Sequence, residues 1–275
     1  MTIGQYHTLR LDRITPPGAY LTDGDTDVLL PTKYIPKDAK VDDEIRVFVY
    51  RDSEDRIICT TLTPHLTTHQ FGYLRVKDVS SVGAFLDWGI EKDLLVPFRE
   101  QVGRLDVGQW VFIYLYVDEK SDRVVATTKV SRFYETMEIN LDEGQEVDLL
   151  ITNTTDLGVN VVINNTYQGL IYANDIFHDL LEGDRTKGYV KTIRADRKID
   201  VSLRQTGLEN LESGAAHIMN ALRKNDGFLS LHDKSAPEDI QLELQMSKKN
   251  FKRSVGILYK QKLITLEKGG IRRSI

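Results

Sequence analysis

The sequence predicts a mainly β chain with a C-terminal α+β domain, in which three small five-stranded β-barrels precede a helix-turn-helix and a hairpin. Two observations predict this fold class. One order of glycines, short β-branched strands and Asp-containing turns occurs three times within residues 1–205. Residues 211–275 change to helical apolar spacing and carry an excess of basic residues. Repetition at a nearly fixed period indicates one structural unit used several times.

The composition is that of an ordinary globular protein. Of the 275 residues, 41% are hydrophobic and 28% are charged, which excludes a low-complexity chain and disfavours disorder. No apolar run approaches the roughly 20 residues that cross a bilayer, and Met1–Arg10 lacks the pattern of a signal peptide. The single cysteine, Cys59, excludes an intramolecular disulfide. We therefore expect a cytoplasmic protein without membrane contact.

Charge is distributed unevenly along the chain. The formal net charge is −5, which by itself disfavours a nucleic-acid partner. Residues 211–275 contain twelve basic and seven acidic residues, a net charge of +5, whereas residues 1–210 carry −10. Within the basic segment, residues 248–275 hold nine bases and one acid, Glu267. This asymmetry indicates a dedicated basic module, with a merely solvated helix face as the alternative.

Each repeat begins at a glycine before a strand and ends in a short strand with a hydroxyl residue. The starting glycines are Gly18, Gly83 and Gly158. The closing residues, 42, 44 and 44 positions further on, are Thr60, Thr127 and Ser202. The runs between them are rich in Val, Ile, Tyr and Phe, which favour a pleated, half-buried surface. Five such strands in about 60 residues indicate a closed or partly open barrel, which leaves few exposed sheet edges.

The repeats and the charge change divide the chain into four domains. We expect the three barrels and the C-terminal domain at residues 1–64, 65–132, 142–206 and 212–275. The last connector is expected at residues 206–214. In the connector after the second barrel, Arg132-Phe133-Tyr134 is expected to pack against a neighbouring barrel.

The third unit resembles the S1 RNA-binding domain, an OB-type five-stranded barrel. The resemblance rests on residues 144–147, 157–161, 168–172 and 188–191, and on the closing run Asp196-Arg197-Lys198-Ile199-Asp200-Val201-Ser202-Leu203-Arg204. Units one and two look like divergent S1 domains. With its C-terminal domain, the whole chain is similar to the bacterial conserved virulence factor B family, in which three S1-like domains precede a winged helix and RNA is bound.

The resemblance implies where RNA would bind to the barrels. In S1 domains, exposed aromatic rings stack on bases and nearby cations follow the phosphates. Tyr20 and Phe85 occupy the place of the stacking aromatic in units one and two. In unit three Asn160 stands there, so stacking would fall to Tyr172, with help from Tyr167. The alternative for Tyr20 and Phe85 is packing within the protein.

The resemblance also implies a carboxylate and a base between the last two strands of each unit. These are Asp52 with Arg56, Asp118 with Arg123, and Asp196 with Arg197 and Lys198. Two further cations of the third unit's motif are Lys191 and Arg204. Pro31 and Pro97 stand where the family has its histidine, so the binding faces of the first two units are incomplete.

Helix signals predict a winged helix at the C-terminus. The expected elements are a helix at 215–224 stopped by Gly227, a helix after a capping box that starts at Ser235, a helix capped by Ser247 from Lys248 to about Leu263, and a hairpin at 263–275 with its turn at Gly269-Gly270. A helix-turn-helix followed by a hairpin is the order of a winged helix.

The third helix of this domain is predicted to have two different faces. The residues that lie within about 100° of one another are Lys249, Lys252, Arg253, Gly256 and Lys260. The opposite face holds Phe251, Val255 and Leu258. We expect the basic face to contact nucleic acid, together with Lys248, Arg272 and Arg273. The alternative is a docking face for the acidic barrels or for a protein partner.

The sequence contains no motif that predicts catalysis, a cofactor or a small-molecule substrate. It has no Gly-rich phosphate loop, and its six histidines are scattered. His65 and His69 share helical spacing but lack an accompanying acid, so no metal site is expected. Cys59 has no partner histidine and is expected to be a buried structural thiol.

Three functions fit these observations. The leading hypothesis is a non-enzymatic protein that binds single-stranded RNA mainly through the third unit and the basic helix, and acts in post-transcriptional gene regulation. RNA-processing or ribosome-associated proteins would then be its protein partners. The second hypothesis is a DNA-binding transcriptional regulator with the third helix in the major groove. The third is a protein-interaction scaffold whose barrels no longer bind nucleic acid.

Overall fold

The computed structural model describes residues 1–176, 179–203 and 208–274, without the side chains of residues 208–213. Contacts between Cα atoms divide the chain into two compact units, residues 1–140 with 148–186 and residues 141–147 with 187–275. The boundary passes through the third barrel. The predicted fold class, mainly β with three five-stranded units and a C-terminal α+β domain, is confirmed.

The first barrel is closed by five strands in the order β1-β2-β3-β5-β4. Its strands are β1 (Gln5–Thr15), β2 (Gly18–Thr22), β3 (Asp27–Pro31), β4 (Glu44–Arg51) and β5 (Ile57–Thr60). Strands β3 and β5 pair in parallel through Leu29 and Ile58, and the other neighbours are antiparallel. Cys59 is fully buried in the core, and burial raises the pKa of its thiol to about 12. The expectation of a buried structural thiol is confirmed.

The second and third barrels repeat this strand plan. The second is an open sheet in the order β10-β9-β6-β7-β8, and the third is closed in the order β11-β12-β13-β15-β14. The second consists of β6 (Phe71–Val79), β7 (Gly83–Leu86), β8 (Leu94–Pro97), β9 (Trp110–Asp118) and β10 (Arg123–Thr127). The third consists of β11 (Glu146–Thr155), β12 (Gly158–Ile163), β13 (Tyr167–Tyr172), β14 (Arg185–Ile193) and β15 (Ile199–Ser202).

All three barrels share the local features that the sequence repeat predicts. Gly18, Gly83 and Gly158 have φ values of 153°, 153° and 145°. A Cβ at these positions would lie 2.1, 2.2 and 2.0 Å from a carbonyl oxygen of the facing strand. Both the backbone conformation and the close approach therefore require glycine. A bulge in each first strand and a 3₁₀ turn after each third strand also recur.

Barrels one and two share a hydrophobic core. Strand β4 buries both of its faces, because its valines point into barrel one while Phe48 and Tyr50 pack with the core of barrel two. Phe48 meets Trp88 edge to face, with ring centroids 5.4 Å apart. The indole nitrogen of Trp88 donates to the Leu66 carbonyl at 2.8 Å. The two barrels are thus joined by apolar packing, and Trp88 belongs to that core.

An aromatic cluster joins barrels two and three. Phe71 stacks on Tyr134 with centroids 4.8 Å apart, and Tyr114 stacks on Phe133 at 4.2 Å. Leu150 and Val162 of the third barrel belong to the same cluster. The expectation that the connector Arg132-Phe133-Tyr134 packs against a neighbouring barrel is confirmed.

The C-terminal domain is a winged helix. Its elements are α1 (Leu208–Lys224), β16 (Phe228–Leu229), α2 (Pro237–Leu244), α3 (Lys248–Lys260), β17 (Ile264–Glu267) and β18 (Gly270–Arg273). The strands form a sheet in the order β16-β18-β17. Helix α1 begins at Leu208, so the expected connector at 206–214 is largely helical and that prediction was wrong. Among the described residues, no helix is long and apolar enough to cross a membrane.

Two of the predicted helix ends are confirmed and one is corrected. Gly227 has φ 82°, and its N–H bonds the Leu222 carbonyl at 2.7 Å, which ends α1. The Ser247 side chain accepts from the Asn250 N–H and caps α3. Ser235 does not cap α2, because its hydroxyl oxygen accepts from the His232 N–H at 3.0 Å and closes the preceding turn.

The hairpin turn lies one residue earlier than predicted. Gly270 pairs with Glu267, so Lys268 and Gly269 are the turn residues. A Cβ at Gly270 would lie 2.1 Å from the Leu229 carbonyl oxygen. The second glycine therefore serves the close approach of β16 to β18 and not the turn.

Candidate nucleic-acid interface

Helix α3 has an apolar face in the domain core and a basic face in solvent. The buried residues are Phe251, Ser254 and Leu258. The exposed residues are Lys249, Lys252, Arg253, Gly256 and Lys260. The two faces predicted from helical angles are therefore present. Lys248, at the start of the helix, is half-buried.

The basic face has no acidic partner among the described side chains. Helix α3 contains no acidic residue. In the described part of the chain, no carboxylate lies within 4.0 Å of Lys249, Lys252, Arg253 or Lys260. Like charges three or four residues apart on a helix repel each other. An approaching row of phosphates would relieve that repulsion, so the face is electrostatically suited to a polyanion.

Tyr259 is a candidate contact that the sequence analysis missed. It lies on the edge of the basic face and is 54% exposed. Gly256, one turn earlier, is exposed, and a Cβ at this position would have no other side chain within 4 Å. Projecting position 259 on the same helical wheel would have identified it, because it lies next to Lys252 and Gly256.

The two arginines of the wing differ in their surroundings. The Arg272 guanidinium donates to the Glu267 carboxylate at 2.7 Å and lies 4.8 Å from the Phe228 ring centroid. Arg273 is exposed, and no carboxylate in the described chain lies within 4.0 Å of it. Of the two predicted contacts, Arg273 therefore has the charge more available for a phosphate.

The two aromatic candidates of the third barrel have different exposures. Tyr172 ends β13, pairs with Gly158 in the ladder and is half-exposed. Tyr167, at the start of the same strand, is buried, and its hydroxyl oxygen accepts from the Asn140 N–H at 3.1 Å. The prediction that Tyr167 helps stack a base is corrected, because a buried ring presents no face to a ligand.

The cations of the third barrel are held on its last two strands and the loop between them. Lys198 forms an ion pair with Asp196 at 3.2 Å, as the motif implies. Arg197 is exposed and has a left-handed φ of 64°. Lys191 is half-exposed on β14 and makes contacts within the molecule. Arg204 lies outside the described residues.

In the first barrel the predicted contacts already have partners. The Arg13 guanidinium lies 4.3 Å from the Tyr20 ring centroid, where it covers one face of the ring. Arg56 donates to Asp52 at 2.6 Å and also pairs with Glu54 at 2.9 Å. The predicted pair of Asp52 and Arg56 is present. Tyr20 and Arg56 would have to give up these contacts to bind RNA.

Barrel one covers part of the predicted binding face of barrel two. Phe85 is half-buried in a pocket of about 240 Å³, together with Leu95 and Val125 of its own barrel. Tyr50 and Arg51 of barrel one also line this pocket. The face that the resemblance assigns to RNA is therefore partly enclosed by barrel one.

The predicted pair of Asp118 with Arg123 is not formed. The Arg123 guanidinium instead binds Asp55 of barrel one, with Nε 2.6 Å from Oδ1, and this contact lowers the pKa of Asp55. Asp118 pairs with Arg99 at 2.9 Å. Asp55 lies in a left-handed turn with φ 65°, from which its carboxylate reaches across to barrel two. The prediction failed because Arg123 has its partner in a neighbouring barrel. The sequence of barrel two alone does not reveal that partner.

Comparisons with known domains agree with this architecture. Residues 3–62 and 70–129 each match the S1 domain, and residues 216–272 match the CvfB-like winged helix domain. Fold and matches together define a protein of tandem S1-type barrels and a winged helix, domain types that bind nucleic acids. These matches and the similar proteins below support the assignment of the chain to the conserved virulence factor B family.

Similarity to known proteins extends over most of the chain. The uncharacterized protein YitL of Bacillus subtilis is 27% identical, with 98% of this chain and 93% of the relative covered. Conserved virulence factor B of Staphylococcus saprophyticus is 25% identical over 84% of this chain and 80% of its own length. A crystal structure titled a multidomain protein with nucleic acid binding domains, from Streptococcus pneumoniae, is 24% identical, covers 99% of this chain and 98% of its own, and has a TM-score of 0.41.

Proposed function

We propose that this chain is a cytoplasmic protein that binds single-stranded RNA through the basic face of α3 and the third barrel, and that it acts in post-transcriptional gene regulation. The observation that carries the proposal is the row of exposed α3 cations without carboxylate partners in the described chain. Cations that the protein leaves unneutralised gain most from phosphates, because binding releases the counterions condensed on the nucleic acid.

Exposed rings favour a single strand over a duplex as the ligand. Tyr172 is half-exposed and Tyr259 is 54% exposed. A ring can stack on an unpaired base, whereas duplex bases have their faces covered by their neighbours. Lys191, Lys198 and α3 belong to one compact unit of the chain. One strand that contacts both parts would bind more tightly than to either part alone.

A comparison of nucleic-acid types tests this proposal. The full chain is titrated with a single-stranded RNA, the single-stranded DNA of the same sequence and the corresponding duplex DNA. We expect RNA to bind most tightly and Lys249→Ala/Arg253→Ala to weaken its binding strongly. Arg223→Ala/Lys224→Ala removes the same charge from the end of α1 and is the matched control. Duplex DNA that binds as well as RNA, or a helix variant that keeps wild-type affinity, would overturn the proposal.

Substitution of Tyr172 tests the contribution of the third barrel. Tyr172→Ala removes a ring worth about 1–3 kcal/mol per stacked base and should weaken RNA binding accordingly. Tyr172→Phe retains the ring and should keep most of the affinity. If both variants bind like the wild type, the third barrel takes no part in binding through this residue.

A further inference from the structure

A groove lined by residues of barrels two and three carries an exposed tryptophan, and it lies outside the sites described above. Trp110, the first residue of β9, is 64% exposed. It lines a groove of about 420 Å³ with Tyr73 of barrel two and Leu150 and Arg185 of barrel three. Ligand pockets in proteins have volumes of roughly 300–1,000 Å³. The groove shares no lining residue with the pocket around Phe85.

The Trp110 indole is largely exposed to solvent. Among the described residues, no ring or guanidinium stacks on it, whereas the neighbouring Tyr73 ring packs against Phe112 at 5.2 Å. The Tyr73 hydroxyl donates to the Thr152 carbonyl of barrel three at 2.9 Å. Tyr73 is thus held in place at the groove, while the Trp110 ring has no stacking partner among the described residues.

Arg185, which lines the groove, and Arg75, which lies opposite Trp110, have N–H groups that are not used in the hydrogen bonds described next. Arg75 lies directly opposite Trp110 in the β6–β9 ladder and donates to the Gly108 carbonyl at 3.3 Å. Arg185 donates to the Phe71 carbonyl at 3.4 Å. Within the described ranges, neither guanidinium has a carboxylate within 4.0 Å. A planar guanidinium with unused N–H groups is well suited to phosphate.

The groove also contains a carboxylate. Glu182 lines it, with Oε2 3.5 Å from the Tyr73 hydroxyl. A phosphate would be repelled there, but the N–H groups of a base can donate to a carboxylate. The arrangement therefore fits a base inside the groove and phosphates at the arginines.

We propose that this groove takes one base of the bound single strand, stacked on Trp110, with the adjoining phosphates at Arg75 and Arg185. The proposal rests on the proposed function, since the ligand is the same strand. It adds a nucleotide contact on the β6–β9 side of barrel two, whereas barrel one partly covers the β7–β8 side around Phe85. A strand in this groove would also contact barrel three, which provides Leu150, Glu182 and Arg185.

Tryptophan fluorescence reports on this site directly. The chain contains two tryptophans, and Trp88 is buried in the core. Titration of the full chain with single-stranded RNA should therefore quench the emission of Trp110. In Trp110→Phe, which keeps an aromatic ring, the remaining emission of Trp88 should not respond, while the affinity should stay within a few-fold of wild type. Quenching that persists in this variant would contradict the assignment.

Loss of the ring should reduce affinity. Trp110→Ala is expected to weaken RNA binding about fivefold or more, the lower limit for one stacked base. Phe98→Ala removes another half-exposed ring of the same barrel outside the groove and should bind like the wild type. In the absence of RNA, Trp110→Ala should have the same Trp88 emission as Trp110→Phe, which verifies that it is folded.

The outcomes separate this inference from the proposed function. If Trp110→Ala binds RNA like the wild type while Lys249→Ala/Arg253→Ala does not, the groove proposal fails and the proposed function stands. If the wild type binds no single-stranded RNA, the proposed function fails and the groove proposal fails with it. If only the helix variant keeps full affinity, binding occurs in the groove and the α3 assignment is overturned.

Discussion

At the scale of single residues, Ser254 is a buried polar group without a hydrogen-bond partner among the described residues. Its hydroxyl is fully buried in α3 and, within the described residues, forms no hydrogen bond. It faces Gly214 of α1, where a Cβ would lie 2.4 Å from the Ser254 hydroxyl oxygen. The two helices thus approach closely at this point.

Replacement of Ser254 should stabilise the winged helix. An unsatisfied buried hydroxyl costs about 1–3 kcal/mol, so we expect Ser254→Ala to raise the free energy of unfolding by about 1 kcal/mol. Ser247→Ala is the matched control in the same helix, and loss of this cap should lower the free energy of unfolding by about 1 kcal/mol. Thermal unfolding of both variants measures the difference. Two shifts in the same direction would contradict the role given to Ser254.

Gly256 should show the opposite effects on stability and binding. It is exposed within the basic face, and alanine in a helix is favoured over glycine by about 1 kcal/mol. We therefore expect Gly256→Ala to be more stable than the wild type and, because a methyl group would hold the strand away from the backbone, to bind RNA more weakly. Paired unfolding and titration experiments test this. A variant that gains stability and keeps its affinity would show that close approach is not needed.

At the scale of elements, helices were predicted well where side-chain periodicity alone determines them. Both faces of α3 and its cap at Ser247 follow from local sequence. The start of α1 did not follow, because Gly214 resembles a helix breaker in the sequence although it serves the close contact with Ser254. Ser235 failed as a cap because its hydroxyl accepts from the backbone N–H of His232 instead. Such competition depends on geometry that spacing does not encode.

Strand β4 explains why barrels one and two form a joint core. Phe48 points away from the interior of barrel one and contacts Trp88 of barrel two. We expect Phe48→Ala to cost about 3–5 kcal/mol and to loosen the contact between the barrels more than barrel one itself. A red shift of the Trp88 emission, with the far-ultraviolet signal of the strands preserved, would show this. Loss of all strand signal would mean that Phe48 supports barrel one directly.

At the scale of the whole molecule, the cations that the sequence predicted to bind RNA differ between the first two barrels and the winged helix. Arg56 and Arg123 of the first two barrels are paired with carboxylates, whereas the cations of the α3 face have no such partners in the described chain. The uneven charge of the sequence predicted this division. The sequence could not show that barrel one covers part of the Phe85 face, because packing between domains depends on surfaces that are brought together only in the fold.

The dependence of RNA affinity on salt tests the central claim most directly. For single strands, the slope of log K against log salt is about −0.7 per phosphate contact. We predict that Lys249→Ala/Lys252→Ala/Arg253→Ala/Lys260→Ala flattens the slope by about 2–3, whereas Arg56→Ala/Arg123→Ala leaves it nearly unchanged. A helix variant with the wild-type slope, or a barrel variant with the larger change, would contradict the assignment of phosphate binding to α3.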